Sequence, residues 1–375
     1  MNRKAKLSIV SALTISAGLI ASTAAIAGGT LTFGDDKWIS IGAGLRTSFN
    51  AIENGSADGG SYSKDFKLDS IRLYVNGSVN KYFKVTFNTE RQDDDSLRVL
   101  DAIARLEVND QFNVWAGRML SPSDRANLDG PYYLSTWNFP FTSNYPAIFA
   151  GRDDGAAVWG ETGVGSGHFK YQFGASQGCH KGGACDTGAN GSDKLLYSGR
   201  LTYNFWDDEP GYYASSDYYG SKDVLAIGLV GQYQSDAVGT SSKARKFFGW
   251  NLDALMDKKL DNGGVVNLEG AYYQYNADVD PVNRGGLYDG NSWFALAGYL
   301  FPQKVWIGQF QPHVRYQYLD NNDVGKTKQW EMGVNYIIEG HNARVSLVGG
   351  SRNDDPDGGK SEDNKFVQLG VQLQI

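Results

Sequence analysis

The chain has 375 residues, a formal charge of -7 and a mean hydropathy of -0.40. It holds 47 Gly, 22 Tyr and 13% aromatic residues but only 9 Pro and 4 Met, a composition unlike a stack of apolar helices. The acidic balance, with no basic run anywhere, gives a nucleic-acid partner no electrostatic support. Beyond residue 27 no apolar stretch is long enough to cross a bilayer as a helix.

At the N-terminus, Arg3, Lys4 and Lys6 precede a small-and-apolar run from Leu7 to Ile20, and Ala25-Ile26-Ala27 supplies an A-x-A cleavage site. Residues 1–27 are read as a cleaved secretory signal peptide, because Ser8, Ser11, Thr14, Ser16 and Gly18 interrupt the run too often for a retained anchor. Cleavage takes away three positive charges and moves the formal charge from -7 to -10. The remainder, 28–375, has no linker and no repeat longer than a hairpin, and is predicted to be one domain.

From residue 38 the side chains alternate with period two, the pattern of strands with one polar and one apolar face. Ile39, Ile41, Ala43 and Leu45 alternate with Ser40, Gly42, Gly44 and Arg46; Phe83, Val85 and Phe87 with Lys84, Thr86 and Asn88. Leu100, Ala102, Ala104 and Leu106 oppose Asp101, Arg105 and Glu107. The pattern recurs at 70–76, 111–119, 154–161, 169–173, 197–205, 224–234, 247–257, 264–275, 292–300, 308–318, 329–338 and 343–351. It closes with FVQLGVQLQI at 366–375, which puts a clean strand on the last residue of the chain.

About sixteen strands follow, an even number. Short turns such as Val79-Asn80-Lys81, Asn109-Asp110-Gln111 and Asp261-Asn262-Gly263-Gly264 alternate with long, acidic, Gly-rich loops, as in a chain that runs up and down through a membrane. The fold class is therefore all-β, a transmembrane antiparallel β-barrel with polar faces turned to the lumen and apolar faces to lipid. Aromatic clusters near strand ends, Phe247, Phe248 and Trp250 or Tyr316 and Tyr318, are assigned to the interfacial girdles.

Residues 120–150 break the alternation. Pro122, Pro131, Pro140 and Pro146 fall there beside seven aromatics, which is poor composition for a solvated tip. The segment is predicted to fold into the lumen as a constriction, with Asp124, Arg125, Asp129, Tyr132, Tyr133 and Trp137 at its working surface; the alternative is an extracellular loop making trimer or surface contacts. DSIRLYVNGSVNKYFKVTFNTE (69–90), LDAIARLEVNDQFNVWAGRMLSP (100–122), this loop and GRDDGAAVWGE (151–161) together resemble the phosphate-selective porin O and P family over about the first third of the mature chain. The resemblance implies a sixteen-stranded, trimeric, passive outer-membrane channel. It does not carry phosphate over, because the family uses Arg and Lys at its constriction and this loop offers only Arg125, against Asp124 and Asp129.

Lumen parity assigns the bases Arg46, Arg72, Lys84, Arg105, Lys170, Arg200, Arg315 and Arg344 and the acids Glu90, Asp101, Glu107, Asp253, Asp257, Glu269 and Glu331 to the pore wall. Mixed signs favour a transverse field over a single-sign funnel, with about half of these charges expected to form structural pairs. Cys179 and Cys185, six residues apart in an exported Gly-rich loop, are expected to form a disulfide. A metal site with His180 lacks a fourth ligand, and NDDPDGG (353–359) lacks the Glu that completes a calcium loop.

The four His residues are scattered and no G-x-S-x-G, H-E-x-x-H or P-loop stands in a suitable context; no catalytic residues, metal or cofactor are predicted. The reading is a homotrimeric porin of the cell outer membrane, passing small hydrophilic solutes and ions, anions such as phosphate among them. Its expected partners are the lipid bilayer, lipopolysaccharide and the outer-membrane barrel assembly machinery. A structural barrel that sheathes an envelope or electron-transfer partner, and a barrel enzyme, are the alternatives.

Overall fold

A computed structural model describes residues 28–91, 96–143, 151–183 and 185–375. The signal-peptide reading of 1–27 and the Pro146 end of the proposed constriction, residues 144–150, lie outside the described residues. The chain forms one antiparallel sheet closed on itself. A short β1 (Gly29–Thr32) precedes β2 (Trp38–Ile52), β3 (Asp65–Ser78), β4 (Phe83–Arg91), β5 (Leu97–Asn109), β6 (Phe112–Leu120), β7 (Arg152–Val164), β8 (Gly167–Ser176) and β9 (Leu196–Asn204). The second half contains β10 (Val224–Thr240), β11 (Lys243–Lys259), β12 (Val265–Asn276), β13 (Gly290–Leu300), β14 (Gln309–Asn321), β15 (Gly325–Glu339), β16 (Ala343–Pro356) and β17 (Glu362–Gln374).

Strands β2 to β17 each pair with their sequence neighbour, and β17 pairs with β2 from Phe366↔Ile52 to Gln374↔Gly44. These sixteen strands correspond one to one with the segments read from alternation, and the seam closes on the tail that alternation marked. The backbone N–H and C=O of Ile375 both bond to Ala43, after which β1 continues the line along β2 from Gly29↔Ile41. A closed ladder leaves no unpaired edge, a requirement wherever no water can satisfy backbone groups.

Burial is inverted relative to a soluble protein. On β17, Val367, Leu369, Val371 and Leu373 are exposed while Gln368, Gln372 and Gln374 are buried. On β2 and β4, Ile41, Leu45, Phe83, Val85 and Phe87 face outward while Ser40, Arg46, Ser48 and Thr86 face the interior. The barrel is apolar outside and polar within.

One parity assignment and one girdle assignment change. A register shift between Asn88 and Thr89 inserts an extra residue in β5, so Leu100, assigned to the outer face, turns inward and is buried. Phe247, assigned to a girdle, is fully buried in a cluster with Leu196, Tyr273 and Tyr275, while its neighbour Phe248 faces out.

Alternation of ends sorts the connections. One end carries turns 79–82, 110–111, 165–166, 260–264, 301–308 and 340–342; the other carries loops 53–64, 121–151, 177–195 and 277–289. The connection 205–223, between β9 and β10, falls at the short-turn end although its length belongs to the other.

Candidate functional site: two segments across the barrel interior

The segment after β6 enters the barrel. Asp124 caps a short helix α1 (Arg125–Asp129), its side chain accepting from the Asn127 N–H at 3.3 Å, and every residue of α1 is buried. From there the chain crosses to the far wall. Tyr132 Oη meets Ser70 Oγ on β3 at 3.3 Å, Asn138 Nδ2 donates to Gln368 on β17 at 2.8 Å, and the Phe141 N–H donates to Gln317 on β14 at 3.0 Å.

Arginines of the wall hold its backbone. Arg344 donates to the carbonyls of Leu134 and Thr136 at 2.5 and 3.1 Å, Arg315 to that of Asn138 at 2.9 Å, Arg200 to that of Ser123 at 3.1 Å, and Arg46 to that of Trp137. The Arg46 guanidinium also lies 4.0 Å from the Trp137 ring centroid, a favourable placement over a π face. The aromatics can approach this closely because the wall beneath them is glycine: a Cβ on Gly44 would come within 2.6 Å of Tyr132, and one on Gly370 within 2.6 Å of Trp137.

The wall charges predicted from parity all lie inside the barrel, and more than half are paired. Arg72 bonds Glu90 through two nitrogens at 3.1 and 3.0 Å, and Lys84 and Arg105 share Glu107. Arg315 meets Glu331 at 2.8 Å, and Arg200 grips Asp253. Asp101 is held by Arg152, outside the predicted set, at 2.8 Å. The Arg200–Asp253 pair reaches over β10, where a Cβ on Gly228 would collide with it at 2.3 Å. Lys170 donates to the Glu209 carbonyl.

Water access divides these pairs. Side chains of Lys84 and Glu107 are 27% and 19% exposed and Glu90 is 15% exposed, whereas Arg200, Asp253, Arg315 and Glu331 are at 3% or less. The wetter interior flank therefore runs along β3, β4 and β5.

A second segment, marked by neither alternation nor motif, also enters the interior. Residues 205–223 fold inward from the short-turn end and meet the first segment. Glu209 receives both Arg125 terminal nitrogens at 2.6 and 2.7 Å and the Tyr218 hydroxyl at 2.5 Å. Tyr212 stacks on Trp115 with centroids 4.7 Å apart and donates to the Leu120 carbonyl at 2.8 Å. Ser216 donates to Asp129 through its hydroxyl and to the Tyr133 carbonyl through its N–H at 3.1 Å. Asp217 accepts from Gln311 of β14, and its carbonyl meets His341 Nε2 at 2.9 Å.

Burial and neighbours tune these groups. Burial alone pushes the Glu209 carboxyl up, but the field and hydrogen bonds of Arg125 outweigh it and bring it to about 2. Burial raises Asp217 despite the bonds from Gln311 and Tyr219, and burial with the nearby Glu269 carboxyl raises Asp129 further. Burial, then the Arg344 charge, lowers His341 to about 4. His341 lies 3.4 Å from Ser215 Oγ, yet its Nε2 is engaged by the Asp217 carbonyl and so carries the proton. It cannot act there as a base toward that hydroxyl.

Cys179 and Cys185 are joined in a disulfide, which removes both as thiolate ligands. They pack at the long-loop end against Leu196, Phe247 and Leu287.

No protein-family model matches the chain, and no curated protein matches it by sequence. Solved structures do match it by shape. The anion-selective porin of Comamonas acidovorans superposes with a TM-score of 0.59 at 12% identity, covering 91% of this chain and 100% of its own. The outer membrane channel DcaP of Acinetobacter baumannii gives 0.56 at 13% identity, covering 93% and 100%. OprB of Pseudomonas putida gives 0.55 at 10%, covering 91% and 94%. The architecture is that of the outer-membrane porins.

Proposed function

We propose that the protein is a porin of the outer membrane that lets small hydrophilic solutes and ions diffuse down their gradients. The observation that carries this reading is the inverted burial of a closed sixteen-stranded ladder: an apolar outer surface suits lipid and a charged interior suits water. Its wall would face the bilayer and lipopolysaccharide, and its terminal strand the barrel assembly machinery. A homotrimer is supported by the fold, since a similar structure is described as the trimer form of OmpT from Vibrio cholerae.

The path we favour follows β3 to β5, where the interior charges retain water, past Arg72, Lys84 and Arg105 against Glu90 and Glu107. With Asp101 buried against Arg152, three bases against two acids remain in contact with water there and tilt that flank toward anions, in keeping with the likeness to a porin named anion-selective. Phosphate is the finer form of the same reading, and it rests on these wall bases, since the loop offers only Arg125 against Asp124 and Asp129.

Planar-bilayer recording tests it. Discrete current steps are expected, with a reversal potential of anion-selective sign under a salt gradient, and phosphate at low concentration is expected to block chloride current. Folded protein that leaves the membrane electrically silent would reject the channel. Current without phosphate block would reject phosphate selection alone.

A further inference from the structure

We infer that residues 208–222 are a displaceable plug, entering from the short-turn end, and that its withdrawal converts a narrow passage into a wide one. The inference rests on the porin reading above and concerns how the same pore is regulated.

The wall does not need this segment. The ladder between β9 and β10 continues beyond the strands through Phe205 N–H to Leu225 and Asp207 N–H to Asp223, at 2.7 and 3.0 Å. A two-residue turn between 207 and 223 would close that hairpin. The chain instead sends a long excursion inward, at the end where porin turns are short.

The excursion reaches across the barrel. On one side Lys170 donates to the Glu209 carbonyl and Gln172 of β8 to the Tyr212 carbonyl; on the other, Gln311 of β14 holds Asp217 and turn 340–342 contributes His341. Strands β8 and β14–β16 lie on opposing arcs of a sixteen-strand ring. Interior side chains beneath this bridge, Asp257, Asn267, Asn335 and Arg344, have no exposure, so water is displaced where the two segments meet.

Its polar attachment is of a kind that water can replace. The segment forms no strand or helix and adds no ladder to the wall. Apolar contact is limited to Tyr212, Tyr213 and Ala214 beside Trp115, Tyr218 beside Leu255 and Tyr219 beside Val265; the other contacts are hydrogen bonds and the Glu209–Arg125 ion pair, whose groups water can solvate on release. Both its ends emerge at the short-turn end, so it can swing out without unzipping a strand.

Three forms of the full chain test this by single-channel recording: the natural sequence, a form with 208–222 replaced by Asn-Gly, and a Ser216→Cys/Asp129→Cys form that cross-links the plug to α1. Replacement is expected to raise unit conductance severalfold. The cross-linked form is expected to show only the narrow level until a thiol reductant is added, with the reductant-treated natural chain as control. A folded replacement form with natural unit conductance would overturn the plug and leave the channel intact. Silence from both folded forms would overturn the channel itself. Should the replacement form fail to fold, the cross-linked form decides: wide openings that persist under oxidation overturn the plug, and wide openings that appear only on reduction support it.

Discussion

The two segments that meet inside the barrel are held in different ways. The segment from the long-loop end is fixed along its backbone, by Arg344, Arg315, Arg200 and Arg46 donating to carbonyls from Ser123 to Asn138. No single contact among these carries the attachment. The segment from the short-turn end is held at the carbonyls of Glu209, Tyr212 and Asp217 and by the side chains of Glu209, Tyr212, Ser216 and Asp217, and the Glu209 and Ser216 side chains bind the first segment rather than the wall. Arginine clamps spread along one backbone make a fixture; the Glu209 ion pair and the Ser216 hydroxyl bond that join the two segments make a latch. Substitutions should therefore separate the two.

The largest effect is expected from Glu209→Gln. It leaves the Arg125 guanidinium buried without its counter-charge, a change that costs about 3–5 kcal/mol in comparable sites. Amide hydrogen exchange should accelerate across 208–222 while 121–143 stays protected. Equal loss of protection in both segments would show that they form one unit. Asp129 lies near Arg125 and is buried with a raised carboxyl, so ionisation of Asp129 can offset part of the loss, and adding Asp129→Asn should enlarge the effect.

Arg344→Met probes the other side of the comparison. It removes two charge-assisted bonds to Leu134 and Thr136, worth roughly 1.5–3 kcal/mol each before relaxation. Because Arg46, Arg315 and Arg200 remain, the loss should be shared. Exchange should rise locally at 133–137, with conductance changing less than for Glu209→Gln; a collapse of the whole segment would show that the clamp is not distributed.

Tyr212→Leu keeps an apolar group against Trp115 but loses the stack and the hydroxyl bond to Leu120. The stacking geometry contributes about 0.5–1.5 kcal/mol beyond area. A modest increase in wide openings is expected by single-channel recording, and no increase would place the latch wholly at Glu209 and Asp217.

The barrel was legible in the sequence because two environments enforce period two on every strand: lipid outside and charge inside. Parity failed where backbone geometry departed from the ideal, as at Leu100 in a bulge, whereas at Phe247 the girdle assignment failed and the parity shared with Asp253 and Asp257 held. The wall charges were legible by the same parity. Their pairing was not, since Arg72 meeting Glu90 depends on register, and Arg200 meeting Asp253 depends on a glycine in the strand between. Residues 205–223 were missed because Asp, Gly, Ser and Tyr compose an ordinary loop, and depth is a tertiary fact. One signal was available: counting strand ends places this long connection among the short turns.

The smallest expected effect is a pH slope, and it resolves which contact of the latch is titratable. His341 sits in the turn between β15 and β16, against the rings of Tyr133 and Tyr219, with the Asp217 carbonyl on Nε2 and Arg344 nearby. Its closed-state value of about 4 lies below the ordinary 6.5, so the closed plug binds fewer protons than the released one across that interval. The His341 contribution to closure is therefore complete above pH 6.5 and is lost as pH falls through 4. Asp217, raised by burial, acts with the opposite sign, its charge weakening closure as pH rises. The two are separated by His341→Gln, which removes the acid-side slope and leaves the Asp217 slope. Wide openings should increase from pH 6.5 to 4 in the natural chain relative to His341→Gln, and superimposable pH profiles for the two would exclude His341 from the latch.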